Sequence, residues 1–348
     1  MKRISRDPQK FDLMRIIDDY ARAHGLDIHD SANQGALLDD LAKHIETNRR
    51  NDILVHGLRI QTMFAYVAAA LGSCRVIKEE DAGEIYSAEP QLRVPDFRIV
   101  TQEPRELLVE VKNCHTLHRR RDYRSTVAYM ESLKRYAALF KAELLIGIYW
   151  SQMRLWTLVS TGDFELRGPE YIVTLPEAIK RNRMHMLGDC KIGTIPSLTL
   201  KFIADRSKPR AVDASGHAHF TIGQVELRCG DQVIDDPLEK KIAWFLMNYG
   251  DWPGQQLPPE ILDGELVCIG FRVAPPARSN PGEHFELIGF LSQMVSRQFN
   301  DITAPEGPVK LLTPKREPDT LGVVIPPEYR GKALRLWRFV LLPSSGAG

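Results

Sequence analysis

The chain has 348 residues, 43% of them hydrophobic and 26% charged, with 46 basic against 45 acidic residues and a net charge of +1. That length points to two domains, and the composition is that of a folded globular protein rather than a disordered or low-complexity one. The charge balance excludes a polycation that coats nucleic acid by bulk electrostatics, so any such contact must come from a local patch.

In chain order, FDLMRIIDDYARA (11–23) and the stretch 35–48 that begins GALLDDLAKHIE repeat their apolar residues at three and four, which predicts an N-terminal helical layer over residues 1–50. A third helix is expected in DILVHGLRIQTMFAYVAAALG, with Ile60, Phe64, Val67 and Leu71 on one side and Gly72 as its stop. Short strand-like runs follow, SCRVIKE, LRVPDFRIV and ELLVEVKN, as a meander. TVAYMESLKRYAALFKA (126–142) returns to helical spacing, and ELLIGIYW reads as a central strand covered on both faces. RLWTLVS and YIVTL are further strands, and LPEAIKRNRM is a short helix with a proline at its start.

The composition changes at GDCKIGTIPS (188–197), taken as the boundary between a domain over 51–188 and a second over 197–348. The second alternates strands, SLTLKFIAD, HFTIGQVELRC, ELVCIGFRVA and LRLWRFVLLP, with helices PLEKKIAWFLMNYG and FELIGFLSQMVSRQF, an α+β pattern. The tryptophans and tyrosine in and just after its first helix read as core.

The five cysteines, at 74, 114, 190, 229 and 268, are widely spaced and odd in number, which reads as reduced thiols rather than a disulfide framework or zinc site. The N-terminus lacks the apolar stretch of a signal peptide, and no window approaches the roughly 18 apolar residues of a membrane helix. The expectation is a cytoplasmic protein with no membrane partner.

The chemistry lies in VPDFRIVTQEPRELLVEVKN (94–113). Alternation along a strand puts Leu108, Glu110 and Lys112 on one face and Leu107, Val109 and Val111 on the other. Charges on an otherwise apolar strand persist where they meet water, pair with each other or hold a ligand. Pairing residues 94–100 with 107–112 would carry Asp96 beside Glu110. Two carboxylates that close repel unless a divalent cation sits between them, and hard cations choose oxygen ligands. Lys112, one pleat along, would stabilise developing negative charge; these are the parts of metal-assisted phosphodiester hydrolysis.

At Pro95-Asp96 and Glu110-Val111-Lys112 the chain resembles the PD-(D/E)XK nuclease superfamily, over roughly residues 50–185. The resemblance implies an α/β, restriction-endonuclease-like mixed β-sheet flanked by helices, here joined to a C-terminal α+β domain for targeting, sensing or oligomerisation. It makes Asp96 and Glu110 metal ligands for Mg2+, with Mn2+ as a substitute, and Lys112 the catalytic lysine. The helix glutamate that many members add is matched by Gln61, a neutral amide; Glu46 is the alternative acid. On the following helix Tyr136 matches a tyrosine of some members, but the glutamine four residues before it is replaced by Ser132, and packing explains Tyr136 equally well.

Beyond Lys112, NCHTLHRRRDYRS sets His115, His118, Arg119, Arg120, Arg121, Tyr123 and Arg124 next to the site. This reads as either a nucleic-acid-binding loop, its arginines on phosphates and Tyr123 on a base, or a solvated charged turn. Lys180, Arg181 and Arg183 would extend the track. His56, alone on an apolar helix, reads as a packed residue rather than a general base.

The expected activity is metal-dependent phosphodiester hydrolysis, with DNA ahead of RNA as substrate. By analogy of architecture it fits an effector of prokaryotic defence against foreign DNA. The competing expectations are a nuclease-fold subunit without effective chemistry, which binds nucleic acid or a partner protein, and an RNase. Cutting both strands of a duplex would call for a homodimer or a larger complex.

Overall fold

The structure is a computed structural model and describes residues 1, 13–29, 34–81, 85–115, 122–276, 284–305, 307–315, 317, 321, 325–326 and 328–344. The first half runs α1 (Met14–His24), α2 (Gln34–Arg49), α3 (Asp52–Leu71), β1 (Cys74–Glu79), β2 (Phe97–Thr101), β3 (Glu106–Cys114), β4 (Asp122–Thr126), α4 (Val127–Phe140), β5 (Glu143–Trp150), β6 (Leu155–Ser160), β7 (Glu165–Arg167), β8 (Glu170–Thr174) and α5 (Leu175–Lys180). The second runs β9 (Lys191–Thr194), β10 (Leu198–Ala204), β11 (Ile222–Cys229), β12 (Gln232–Val233), α6 (Pro237–Tyr249), β13 (Gly254–Leu262), β14 (Glu265–Val273), β15 (Glu286–Phe290), α7 (Leu291–Thr303) and β16 (Leu336–Phe339).

The central sheet has the order β1-β2-β3-β5-β6, with β3 and β5 parallel and every other neighbour antiparallel. A parallel pair needs a crossover, and α4 supplies it between β3 and β5. With α3 preceding the meander, this is the restriction-endonuclease-like arrangement expected. β3 is therefore interior, not an edge strand with one wet face. Leu107, Val109 and Val111 pack with Phe64 and Val67 of α3, while Leu108 packs with Leu133 and Tyr136 of α4. Helix α3 starts at Asn51, whose side chain accepts the N–H of Leu54, and stops at Gly72, whose φ of 88° suits glycine.

By length and hydropathy α3 would pass for a membrane helix, contrary to the expectation for this sequence; half of its apolar window is buried inside the protein, as befits a core helix. Helix α2 buries no residue, and Leu38 and Ile45 on it are exposed.

Several elements differ from the sequence reading. The stretch 285–299, read as one helix, is β15 followed by α7, because Glu286 and Ile288 alternate inward against β9 and Gly289 adopts φ 134°, outside any helix. The stretch 188–197 contains β9, the middle strand of a sheet completed by β15 and β16. Of 92–100, only residues from Phe97 onward are strand; Pro95, with no N–H, cannot extend the ladder. Pro258 and Pro259 hide β13, which tolerates them as an edge strand with its register shift between Leu257 and Glu260. His56 is exposed rather than packed, and so is Trp244 on α6.

One hydrophobic cluster runs through both halves, from Phe64 and Val109 through Trp156 and Leu187 to Ile242, Phe299 and Leu334. Polar groups cross the same seam: the Trp156 indole donates to Ser296 Oγ at 3.0 Å, and Arg59 of α3 donates to Thr303 at 2.9 Å and to Asn300 of α7. The buried Asp189 carboxylate accepts the N–H of Ser292 at 3.0 Å and its hydroxyl at 2.6 Å, receiving the first turn of α7. All five cysteines are free and buried.

Candidate active site

Register builds the site. Phe97 pairs with Val109 across β2 and β3, so Asp96, one residue before β2, falls beside Glu110 and Val111. Its Oδ2 accepts the Val111 N–H at 2.6 Å, and its Oδ1 accepts from the Gln61 amide of α3 at 2.6 Å. Gln61, the neutral replacement for a helix glutamate, thus does join the site. It holds Asp96 in orientation and adds no charge.

Glu110 is 3% exposed on the face of β3 that meets α4. Its Oε1 lies 2.6 Å from Lys112 Nζ and accepts the Tyr129 hydroxyl. Lys112 Nζ donates to that hydroxyl at 2.7 Å, and the ammonium lies over the Tyr129 ring, 4.8 Å from its centroid. Tyr129 stands in the first turn of α4, where the capping Thr126 side chain accepts its N–H. The polar chain is directional: Lys112 donates to Tyr129, and Tyr129 donates to Glu110.

The electrostatics follow from burial. Desolvation, and then the charge of Glu110, push the Asp96 carboxyl up to about 7, against the pull of the Val111 N–H and Lys112. Burial pulls the Lys112 ammonium down, but Glu110 and Tyr129 outweigh it and leave it above its ordinary value, hence charged. Burial, and then Glu110, raise the Tyr129 hydroxyl to about 12, so it keeps its proton and remains a donor.

The donor set fits a hard divalent cation. Two carboxylates close enough to disfavour each other's charge gain from a cation between them, and magnesium is commonly held by one or two carboxylates with water and substrate phosphate completing its shell. Asp96 and Glu110 would be its carboxylate ligands; among the described residues no third His, Cys, Asp or Glu joins them in a group placed to hold a metal.

Arg119, Arg120, Arg121 and His118 lie outside the described residues. The segment just after them is strand β4, paired with β8, and not a loop or helix start. There Tyr123 turns inward: its ring meets Phe164 edge-on at 6.2 Å, and burial raises its hydroxyl. Arg124 is engaged by Asp122 and Glu170, both at 3.0 Å. Arg181 and Arg183 pair with Asp163, and Lys180 with Glu177 at 3.8 Å, so this group is not an open basic track. His115 bonds Ser151 at 2.7 Å. Glu46 is bound to Arg49 and Arg50 on α2 and takes no part. Tyr136 serves Glu80, donating to it at 2.7 Å, away from Glu110.

Tyr129 is absent from the residues expected on sequence grounds. A signal for it exists: it lies three residues before Ser132 and seven before Tyr136, on the same helical face.

No family model matches the chain. No curated protein matches it either. Among solved structures it is similar to Hjc, a Holliday junction resolvase from Archaeoglobus fulgidus, at 19% identity and a TM-score of 0.22, covering 27% of this chain and 77% of that one. A likeness of that size carries no functional weight; the side chains of the site carry it instead.

Proposed function

We propose that this chain is a divalent-metal-dependent nuclease of the PD-(D/E)XK type that hydrolyses phosphodiester bonds, with DNA as substrate. The observation that carries the reading is the convergence of Asp96, Glu110 and Lys112 at one end of the central sheet, with a half-buried carboxylate, Asp96, set beside a buried one, Glu110. A partly buried cluster of three charged groups costs stability and is kept where it works on something.

Asp96 and Glu110 would hold Mg2+, or Mn2+ in its place, and that cation would supply Lewis-acid polarisation of the scissile phosphate. Lys112, kept charged by Glu110 and Tyr129, would stabilise the negative charge that develops on the phosphate oxygens. Tyr129 fixes the ammonium while donating to Glu110, and Gln61 fixes Asp96. Pre-set donors of this kind need no reorganisation during the reaction.

The test is incubation of purified protein with plasmid and linear DNA, and in parallel with RNA, in magnesium or manganese. Cutting by the native protein, reduced about a hundredfold or more in Asp96→Ala and Lys112→Ala, is the expected outcome. Equal cutting by those variants overturns the assignment, and preferential cutting of RNA changes the substrate. A nuclease-fold subunit without chemistry is favoured by one observation, the neutral Gln61 at Asp96; nucleic-acid binding without cutting in any metal would establish it. Duplex cleavage by a chain with one such site calls for two copies.

A further inference from the structure

We propose that Arg93 is a phosphate-binding residue at the lip of this site, holding a backbone phosphate of the nucleic acid beside the one that reacts. The proposal rests on the nuclease reading for its substrate but stands on separate residues. Arg93 is exposed, three positions before Asp96, and its guanidinium carbon lies over the Tyr129 ring, 4.6 Å from the centroid. That ring belongs to the tyrosine whose hydroxyl bonds Glu110 and Lys112, so the guanidinium sits one side chain away from the proposed catalytic groups.

Its backbone is fixed as well as its head. The Arg93 N–H donates to the carbonyl of Ser132 at 3.3 Å. One turn further along α4, Arg135 donates to the carbonyls of Pro90 at 3.4 Å and Gln91 at 3.2 Å. The lip 90–93 is therefore tied to the helix that carries Tyr129. An arginine held this way loses little side-chain freedom when it binds, which is where long cationic side chains ordinarily forfeit affinity.

Charge pairing sets it apart from most cations near it, while Arg135, which also has no carboxylate partner among the described residues, donates to the backbone carbonyls of Pro90 and Gln91. Around the site Arg98 is paired with Glu80 and Glu106, Lys112 with Glu110, Arg124 with Asp122 and Glu170, and Lys134 with Glu131. Among the described residues no carboxylate pairs with Arg93. A guanidinium over an aromatic ring keeps N–H groups for a planar, two-toothed contact, and phosphate oxygens match that fork. A site with two adjacent carboxylates also needs outward positive charge if it is to attract a polyanion.

The experiment measures binding of a fluorescently labelled duplex, and of its single strand, by anisotropy in calcium at several salt concentrations. It compares native protein, Arg93→Ala and Arg93→Lys, with thermal melting of each to confirm that this exposed substitution leaves the fold intact. Arg93→Ala is expected to weaken binding about tenfold regardless of sequence and to lower the salt slope by about one, while Arg93→Lys keeps the slope. In cleavage assays KM rises by more than kcat falls. Unchanged affinity and slope in Arg93→Ala overturns the proposal even where Asp96→Ala abolishes cutting, as does failure of native protein to bind either strand form. Weakened binding in a native protein that never cuts would keep Arg93 and discard the nuclease.

Discussion

Tyr129 is the residue on which the geometry of the site turns, since its hydroxyl accepts from Lys112 and donates to Glu110. Tyr129→Phe keeps the ring under Arg93 and Lys112 and removes only that link. We expect kcat to fall about tenfold to a hundredfold with the melting temperature nearly unchanged, as for loss of one oriented donor; full activity in this variant would show that Lys112 is positioned without it. Asp96, Glu110 and Lys112 are legible in the sequence because their relation is local to one hairpin and obeys strand alternation. Tyr129 is harder to find: helical spacing puts it on the face of Ser132 and Tyr136, but its approach to Glu110 and Lys112 depends on how α4 docks on β3, a tertiary relation. The ion pairs of Arg124 with Glu170 and of Arg183 with Asp163 are hidden for the same reason: the partners are distant in the chain and become neighbours only through the fold.

Among elements, the long periodic ones are readable. Helices α3, α4 and α6 and strands β3, β5 and β10 fall within a residue or two of their sequence bounds, since burial of one face dictates their pattern. The short strand β9 and the β15–α7 junction are not, because a four-residue strand has too few alternations to stand out and the junction turns on one glycine conformation. At that junction Asp189 receives α7, and burial pushes its carboxyl up to about 6. An acid whose folded value is raised above its unfolded one stabilises the fold fully below about pH 4 and loses that contribution as pH rises through about 6. The loss amounts to roughly 3 kcal/mol by the usual 1.4 kcal/mol per unit. Melting curves of native protein and Asp189→Asn between pH 4 and 7 check this: the native protein should lose stability relative to the variant as pH rises, and parallel curves would refute it.

At the scale of the whole molecule, the two halves distinguished by composition share one interior. Phe299 of α7 is fully buried and meets Tyr66 of α3 edge-on at 5.6 Å. Phe299→Ala should cost about 3–5 kcal/mol. It should lower a single melting transition that secondary-structure and tryptophan signals report together. Two separated transitions, with only the later residues affected, would show that the halves fold independently.

The seam has a mechanical consequence. Arg59, clasped by Thr303 and Asn300 of α7, sits two residues from Gln61, the amide that steadies Asp96. Since α3 is a single uninterrupted helix, Gln61 cannot slide along Asp96 unless α7 slides too. The second half thus acts as a splint on one wall of the first half's site, and cutting the chain after residue 188 would remove the splint together with Ser296, the partner of the buried Trp156 indole.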